Sequence, residues 1–261
     1  MMSWEKELKA AIDAGLLAKD RIMAIYHQKF DVEIKEDDSP VTIADKTADK
    51  IIREYLQNIF PAHAFLTEES EDGEARLSND YVWIVDPVDG TKDFIARDDH
   101  FTTNIALAYK HKVVVGVVVA PARDEIYFAS ESNGAFYQKL GEEPVRIHVS
   151  DKLDDLTFLT SVFHFTKEEQ DVINRHSDKI KHVMKLGSSL KPCAIAHGLA
   201  EITFRSSPNT KEWDTAASQI IVEEAGGLFI EPNGNPIRYN RKDVYNRNGY
   251  IVVNRKENIL L

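Results

Sequence analysis

The chain has 261 residues, 43 % of them hydrophobic, enough to bury a sizeable core as one large domain or two closely packed ones. Its 43 acidic against 32 basic side chains give a formal charge of -11, which argues against binding a nucleic-acid polymer, because that needs a dense basic surface. The single cysteine, Cys193, excludes an intrachain disulfide, and no run approaches the roughly 20 apolar residues that span a bilayer.

The opening MMSWEKELKAAIDAG is amphipathic and acidic and does not resemble a secretory leader. With the lone cysteine it sets the expectation of a cytoplasmic protein, peripheral association with the inner membrane left open. Apolar residues at Trp4, Leu8, Ile12, Leu16, Met23 and Tyr26 keep nearly helical spacing and predict a first helix. KEDDSP, from Lys35 to Pro40, breaks the pattern and reads as a polar loop. A second helix is predicted from about Asp45, with Ala48, Ile51, Ile52, Tyr55, Leu56 and Ile59 on one side and Pro61 as its stop.

The period then changes. Phe65-Leu66 reads as a short strand running into the loop-like TEESEDGEARLSND. YVWIVD reads as a strand ending on Asp86, with Asp89 three residues on, in what looks like a turn. Thr102 to Tyr109, VVVGVVV, EIYFASE and the segment from Gly134 to Tyr137 predict a meander. VVVGVVV is apolar on both faces and should be covered on both. Helices first and strands afterwards suggest stacked layers and not βαβ units.

From Val149 the elements alternate. LTFLTSVF predicts a strand and KEEQDVINRHSDKI a helix. After HVMKLGSS a helix is expected from about Ser189 to His197, then a strand at AEITFR. DTAASQIIVEEAGG reads as a helix with a Gly-Gly stop, and NGYIVVN as a closing strand. A division into residues 1–148, a helix pair with a large sheet, and 149–261, a smaller α/β half, is expected, although no flexible linker marks it.

Three acidic clusters fall at the ends of predicted elements: Glu68-Glu69, Asp86 with Asp89, and Asp214. Hard divalent cations such as Mg²⁺ want oxygen ligands, a few carboxylates completed by water and phosphate. Pro87 stiffens the connection between the two aspartates and Gly90 permits a tight bend, so both carboxylates and the Val88 carbonyl could face one point. Thr91 could hold a water and hand its proton to Asp45. Each cluster alone also has an ordinary reading. Asp-Pro-x-Asp-Gly is turn chemistry, Asp214 has the residue type and place of a helix N-cap, and Glu68-Glu69 could be a solvated face. The nine histidines, His63, His100 and His197 among them, lack ligand-like spacing, so no zinc site is expected. Cys193 among apolar neighbours reads as buried and inert, and no P-loop or dinucleotide fingerprint is present. The GSS at 187–189, opening a predicted helix, could offer backbone N–H groups to a phosphate.

WIVDPVDGTKDF and EWDTAASQIIVEEAGG resemble the two signatures of the inositol monophosphatase-like superfamily of lithium-sensitive, Mg²⁺-dependent phosphatases. The order PVTIADKTAD, TEES, DPVDGT, GSSL and WD is similar too, over nearly the whole chain. Within the superfamily, Lys92-Asp93-Phe94, KEWDTAA and YNRKDVYNRNGY look like the bacterial 3′(2′),5′-bisphosphate nucleotidases, which take the 3′-phosphate from adenosine 3′,5′-bisphosphate. Arg205 stands in the stretch where inositol phosphatases usually carry a glutamate, and arginine suits a second phosphate better than a ring hydroxyl.

The resemblance implies an α+β fold, a layered α/β/α/β/α sandwich with the site between its halves. It implies two or three Mg²⁺ ions, with Mn²⁺ as a substitute. Asp86 would bridge two ions, Glu68 and the Val88 carbonyl would complete the first, and Asp89 with Asp214 would hold the second; Glu68, through water, would help hold a third. Thr91 and Asp45 would activate water, with Glu69 in support. Gly90 and Thr91 would receive the scissile phosphate. Gly187, Ser188, Ser189, Arg205, Lys211, Tyr239 and Arg241 would contact the rest of a small phosphorylated substrate. The rivals are an inositol monophosphatase, with or without fructose-1,6-bisphosphatase activity, and a catalytically silent binding or structural member. The expected assembly is a monomer or homodimer.

Overall fold

The computed structural model describes residues 3–34 and 40–260. Helix α1 (Glu5–Tyr26) is followed by two short antiparallel strands, β1 (Val32–Ile34) and β2 (Pro40–Thr42), and then by α2 (Ile43–Ile59). KEDDSP lies outside the described residues except for Pro40. Helix α2 starts two residues before the expected Asp45 because Thr42 caps it. The Thr42 hydroxyl accepts the Ala44 N–H at 3.1 Å, and the Asp45 carboxylate accepts the Thr42 N–H at 2.8 Å, a reciprocal capping box.

A seven-stranded sheet runs in chain order: β3 (Ala64–Thr67), β4 (Tyr81–Asp89), β5 (Thr102–Tyr109), β6 (Lys112–Ala120), β7 (Glu125–Ser130), β8 (Gly134–Lys139) and β9 (Val145–Ile147). Only β3 and β4 are parallel; the others form the expected antiparallel meander. Asp86 to Asp89 is not the turn expected from its residue types. Strand β4 continues through it, with Asp86 opposite Asn104 and Asp89 opposite Thr102, so β4 carries one residue more than β5 over this interval. Pro87 has no N–H to give a ladder, and a bulge is where a strand tolerates it. The chain turns one residue later, at Gly90 with φ 90°, into the short helix α3 (Thr91–Ala96).

The second sheet has the order β11-β10-β12-β14-β13. Its elements are β10 (Leu156–Thr160), α4 (Lys167–Arg175), β11 (Ile180–Lys185), α5 (Leu190–Ala196), β12 (Ile202–Arg205), α6 (Glu212–Glu224), β13 (Leu228–Ile230) and β14 (Tyr250–Val253). β10 pairs in parallel with β11 across α4, a βαβ connection in the half where alternating elements were expected.

The layers follow from which faces are apolar. α1 and α2 cover one face of the large sheet through Ala14, Ile22, Ile52, Ile105, Val117 and Val119. The other face, with Ile84, Ala106 and Val118, packs on α5 and α6, whose far side meets Phe229 and Val252 of the small sheet. Phe158, Phe204 and Ile251 on that sheet's outer face pack with Val172 of α4. The result is α/β/α/β/α, with VVVGVVV covered on both faces as expected. A Cβ at Gly116 would overlap the Ala217 carbonyl and sit 2.5 Å from Ile220 Cγ2, so a glycine on β6 sets how closely α6 approaches. Among the described residues no helix is long and apolar enough to cross a membrane.

Candidate metal centre

The bulge in β4 and the first turn of α6 meet at one point. Asp86, Asp89 and Asp214 each offer a carboxylate oxygen, and the three oxygens lie within 4.8 Å of one another. Asp214 is not the N-cap its residue type suggested. It sits at the third position of α6, where its Oδ2 accepts the Lys211 backbone N–H at 2.7 Å, and this fixes the carboxylate over the helix start. Asp89 is held harder: its Oδ2 accepts the N–H of Ser189 at 2.8 Å, the hydroxyl of Ser189 at 2.9 Å and the Asn104 amide at 3.0 Å. Asp86 is 1 % exposed, and its Oδ1 has no hydrogen-bond donor. Glu68, in the turn after β3, is placed beside these groups by the parallel β3–β4 pair, its N–H donating to the Val85 carbonyl at 3.2 Å. Half-buried Glu69 follows it.

The electrostatics match a cluster built for a cation. Burial, then Glu68, Asp89 and Asp214, push Asp86 well above the usual carboxylate range. Burial, then Asp89 and Glu68, raise Asp214 to about 8. Burial raises Asp89 as well, opposed by Asn104, Lys191 and Ser189. Several carboxylates this close cannot all ionise in a dry site without added positive charge. An all-oxygen donor set and the unpartnered Asp86 oxygen therefore fit a hard divalent cation.

Thr91 and Asp45 come together across 46 residues of chain. The Thr91 hydroxyl donates to Asp45 Oδ1 at 3.2 Å and also lies 3.3 Å from the Val88 carbonyl. Asp45 Oδ2 takes the N–H and the hydroxyl of Thr42 at 2.8 and 2.7 Å, so the carboxylate that caps α2 is also the one that faces Thr91. Burial raises its pKa against the hydrogen bonds from Thr42.

A cavity of about 660 Å³ opens over the acids, lined by Glu68, Asp89, Gly90, Thr91 and Asp214. Lys92, Lys191, Arg205 and Lys211 line the same cavity, together with Trp213, Tyr245 and Tyr250. The Arg205 guanidinium donates to the His164 carbonyl at 2.5 Å, and Lys92 Nζ lies 3.4 Å from His164 Nε2. Burial and then Arg205 and Lys92 bring His164 down to about 4, so near neutral pH its ring adds no charge to the cavity. The Lys211 ammonium lies over the Trp213 ring, 5.2 Å from its centroid.

Three of the residues expected at the substrate stand elsewhere. Tyr239 is 0 % exposed, and its hydroxyl donates to Gln219 at 2.5 Å. Arg241 is tied to Glu212, to the carbonyls of Val244 and Tyr245 and to Asn246, which pins the loop before β14. Neither lines the cavity. At Gly187 a Cβ would overlap Asp93 Oδ1 and sit 2.7 Å from His100 Cβ, so that glycine serves close packing. Ser188 and Ser189 do line the cavity, but the Ser189 donors face Asp89 and the Ser188 hydroxyl donates to the His100 carbonyl at 2.5 Å. Asn104, Lys191 and His164 were missed. Only Asn104 left a trace, as an amide inside the otherwise closely packed TTNIALAY strand. Cys193 is buried as expected, its thiol pushed up by burial, and it is no nucleophile.

The 3′(2′),5′-bisphosphate nucleotidase CysQ of Escherichia coli K12 is 35 % identical over 238 residues, spanning 90 % of this chain and 94 % of that protein. The crystal structure of CysQ from Bacteroides thetaiotaomicron, a bacterial member of the inositol monophosphatase family, has a TM-score of 0.84 at 37 % identity over 96 % of this chain and 98 % of that one. Nus factor SuhB of Pasteurella multocida is also similar, 33 % identical over 236 residues, which is 87 % of this chain and 85 % of that protein. The layered fold and the acidic cluster thus sit on a sequence that matches one family from residue 3 to residue 260: the chain belongs to the inositol monophosphatase family.

Proposed function

We propose that this chain is a Mg²⁺-dependent phosphomonoesterase that removes the 3′-phosphate of adenosine 3′,5′-bisphosphate, giving AMP and phosphate. One observation carries the reading: a single cavity, lined by Asp89 and Asp214 of the cluster that buried Asp86 completes, is lined also by Lys92, Lys191, Arg205 and Lys211. The acidic groups suit metal-assisted attack on one phosphate, and the basic groups suit a second phosphate that is retained. The relatives named as bisphosphate nucleotidases support the same substrate class.

Asp86, Asp89 and Asp214, with Glu68 and the Val88 carbonyl, would hold the cations. When bound, these lower the pKa of the attacking water and neutralise charge on the phosphoryl and leaving oxygens. The chain's own groups do the rest. Thr91 accepts a proton from the water as it passes its own to Asp45, whose burial makes it the better base. Glu69 supports this carboxylate group, and the backbone of Gly90 and Thr91 receives the scissile phosphate. Ser189 and Asn104 keep Asp89 aimed. Arg205 and Lys211 meet the 5′-phosphate.

The family match supports a second reading, an inositol monophosphatase. Turnover of adenosine 3′,5′-bisphosphate, inositol 1-phosphate and fructose 1,6-bisphosphate should be compared side by side with Mg²⁺. The nucleotide should give the highest kcat/KM. Preference for inositol 1-phosphate would overturn the reading, and no turnover of any of the three would favour a silent binding member.

A further inference from the structure

A second polar cluster lies just past the bulge, and the reaction above does not use it. Asp93 belongs to α3, while Asp98 and His100 follow in the connection to β5. Each offers one ligand atom, and the three atoms lie within 4.8 Å of one another. Asp93 is 5 % exposed, and its Oδ1 has no donor. Asp98 Oδ2 and His100 Nδ1 are likewise sealed from solvent and unpartnered.

The backbone builds this convergence. The Asp98 N–H donates to the Asp93 carbonyl at 3.3 Å, and the His100 N–H donates to Asp98 Oδ1 at 3.1 Å. Arg97 and Asp99 take φ of 57° and 63°, bending the chain on either side of Asp98. The loop at 187–188 closes over the cluster: Gly187 lies against the Asp93 carboxylate, and Ser188 donates to the His100 carbonyl. The Asp93 and Asp98 carboxylates are within hydrogen-bond reach of each other. Two acceptors and the His100 ring nitrogen thus converge with no donor supplied from elsewhere among the described residues, and buried polar groups are nearly always paired.

We propose that Asp93, Asp98 and His100 form a second metal site, for a divalent transition ion such as Mn²⁺ or Zn²⁺. Two carboxylates with one imidazole suit borderline Zn²⁺ and are also accepted by the harder Mn²⁺, whereas Mg²⁺ takes oxygen alone. The spacing of the histidines gave no sign of the site, because the other ligands are aspartates brought in by the turn. Asp93 also borders the cavity, and an ion here would tie α3 to the start of β5 beneath the segment whose Ser189 aims Asp89, and so would brace the catalytic cluster.

The test uses the full chain saturated with Mg²⁺ and titrated with Mn²⁺, read by equilibrium binding and pulsed EPR. The cluster at Asp86 offers only oxygen, so nitrogen modulation on bound Mn²⁺ reports the imidazole. The wild type should bind one further equivalent with nitrogen modulation. His100→Gln should abolish the modulation and weaken that equivalent by at least about tenfold. Asp98→Asn, which keeps the imidazole and the side-chain volume, should weaken it similarly, while both variants retain turnover at saturating Mg²⁺. No further equivalent in the wild type would overturn the proposal and leave a proton shared between Asp93 and Asp98. Modulation that survives His100→Gln would overturn it equally.

Discussion

Ser189 commits its backbone N–H and its hydroxyl to the same oxygen of Asp89, and Asn104 adds a third donor. These bonds favour the ionised, correctly turned carboxylate in a setting where burial opposes ionisation. Outer partners of a metal site are worth about 10–100-fold in metal affinity or activity. Ser189→Ala should therefore raise the Mg²⁺ concentration for half-maximal activity by about 10–100-fold, with much of the turnover recovered at high Mg²⁺. An unchanged Mg²⁺ requirement would show that the Ser189 hydroxyl does not position Asp89. This residue also shows what the sequence could and could not say. The aspartates were legible because carboxylates at element ends, in a family-like order, have few other uses together. GSS announced hydrogen-bond donors but not their acceptor, and a carboxylate 100 positions earlier took the place expected for a phosphate. Tyr239 and Arg241 misled for the opposite reason. Their residue types suit a substrate, yet the fold uses them to close the core and the loop before β14.

At the scale of elements, long segments with a clean period were legible: α1, α2, α6 and the meander fall close to their expected bounds. β1, β2 and β13 are three residues each, too short to display any alternation, and depend on their partners to exist. The bulge in β4 was read as a turn because Asp, Pro and Gly are turn residues wherever they stand. What the sequence left unstated is how tightly α6 sits on the large sheet. VVVGVVV places its glycine directly under the Ala217 carbonyl and Ile220. Gly116→Ala should push α6 outward and cost about 1–3 kcal/mol in urea unfolding, the range for overpacking a filled core. Because α6 carries Asp214, activity should fall as well. Stability within about 0.5 kcal/mol of wild type, a change usual for surface sites, would mean that the layers yield more easily than their close approach implies.

The whole molecule concentrates acidity where its layers meet, and this couples folding to pH and to metal. Asp214 has a folded-state pKa of about 8 against an ordinary 3.8, and Asp93 about 7, pushed up by burial and then by Asp98. Raised folded-state values mean that the native protein binds protons the unfolded chain has lost. Stability from these groups is complete below the ordinary carboxylate range and is lost as pH rises through the folded values. Buried histidines act in the opposite sense: His164, held down to about 4, weakens the fold as pH drops below about 6.5, the ordinary histidine value. The window from about pH 6.5 to 8 therefore belongs mainly to the carboxylates, at roughly 1.4 kcal/mol per pH unit for each group still titrating. With metal chelated, the melting temperature should fall across this window. Metal competes with the same protons, so Mg²⁺ should bind more tightly at pH 8 than at 6.5 and release protons as it binds. Its stabilisation, set by the ratio of free Mg²⁺ to Kd, should then grow with pH and flatten or reverse the decline. Melting curves with chelator and with saturating Mg²⁺, at both ends of the window, provide the check. A chelated protein that gains stability toward pH 8 would mean that these carboxyls are already ionised in the metal-free fold, and the cluster would then be held by the protein's own cations.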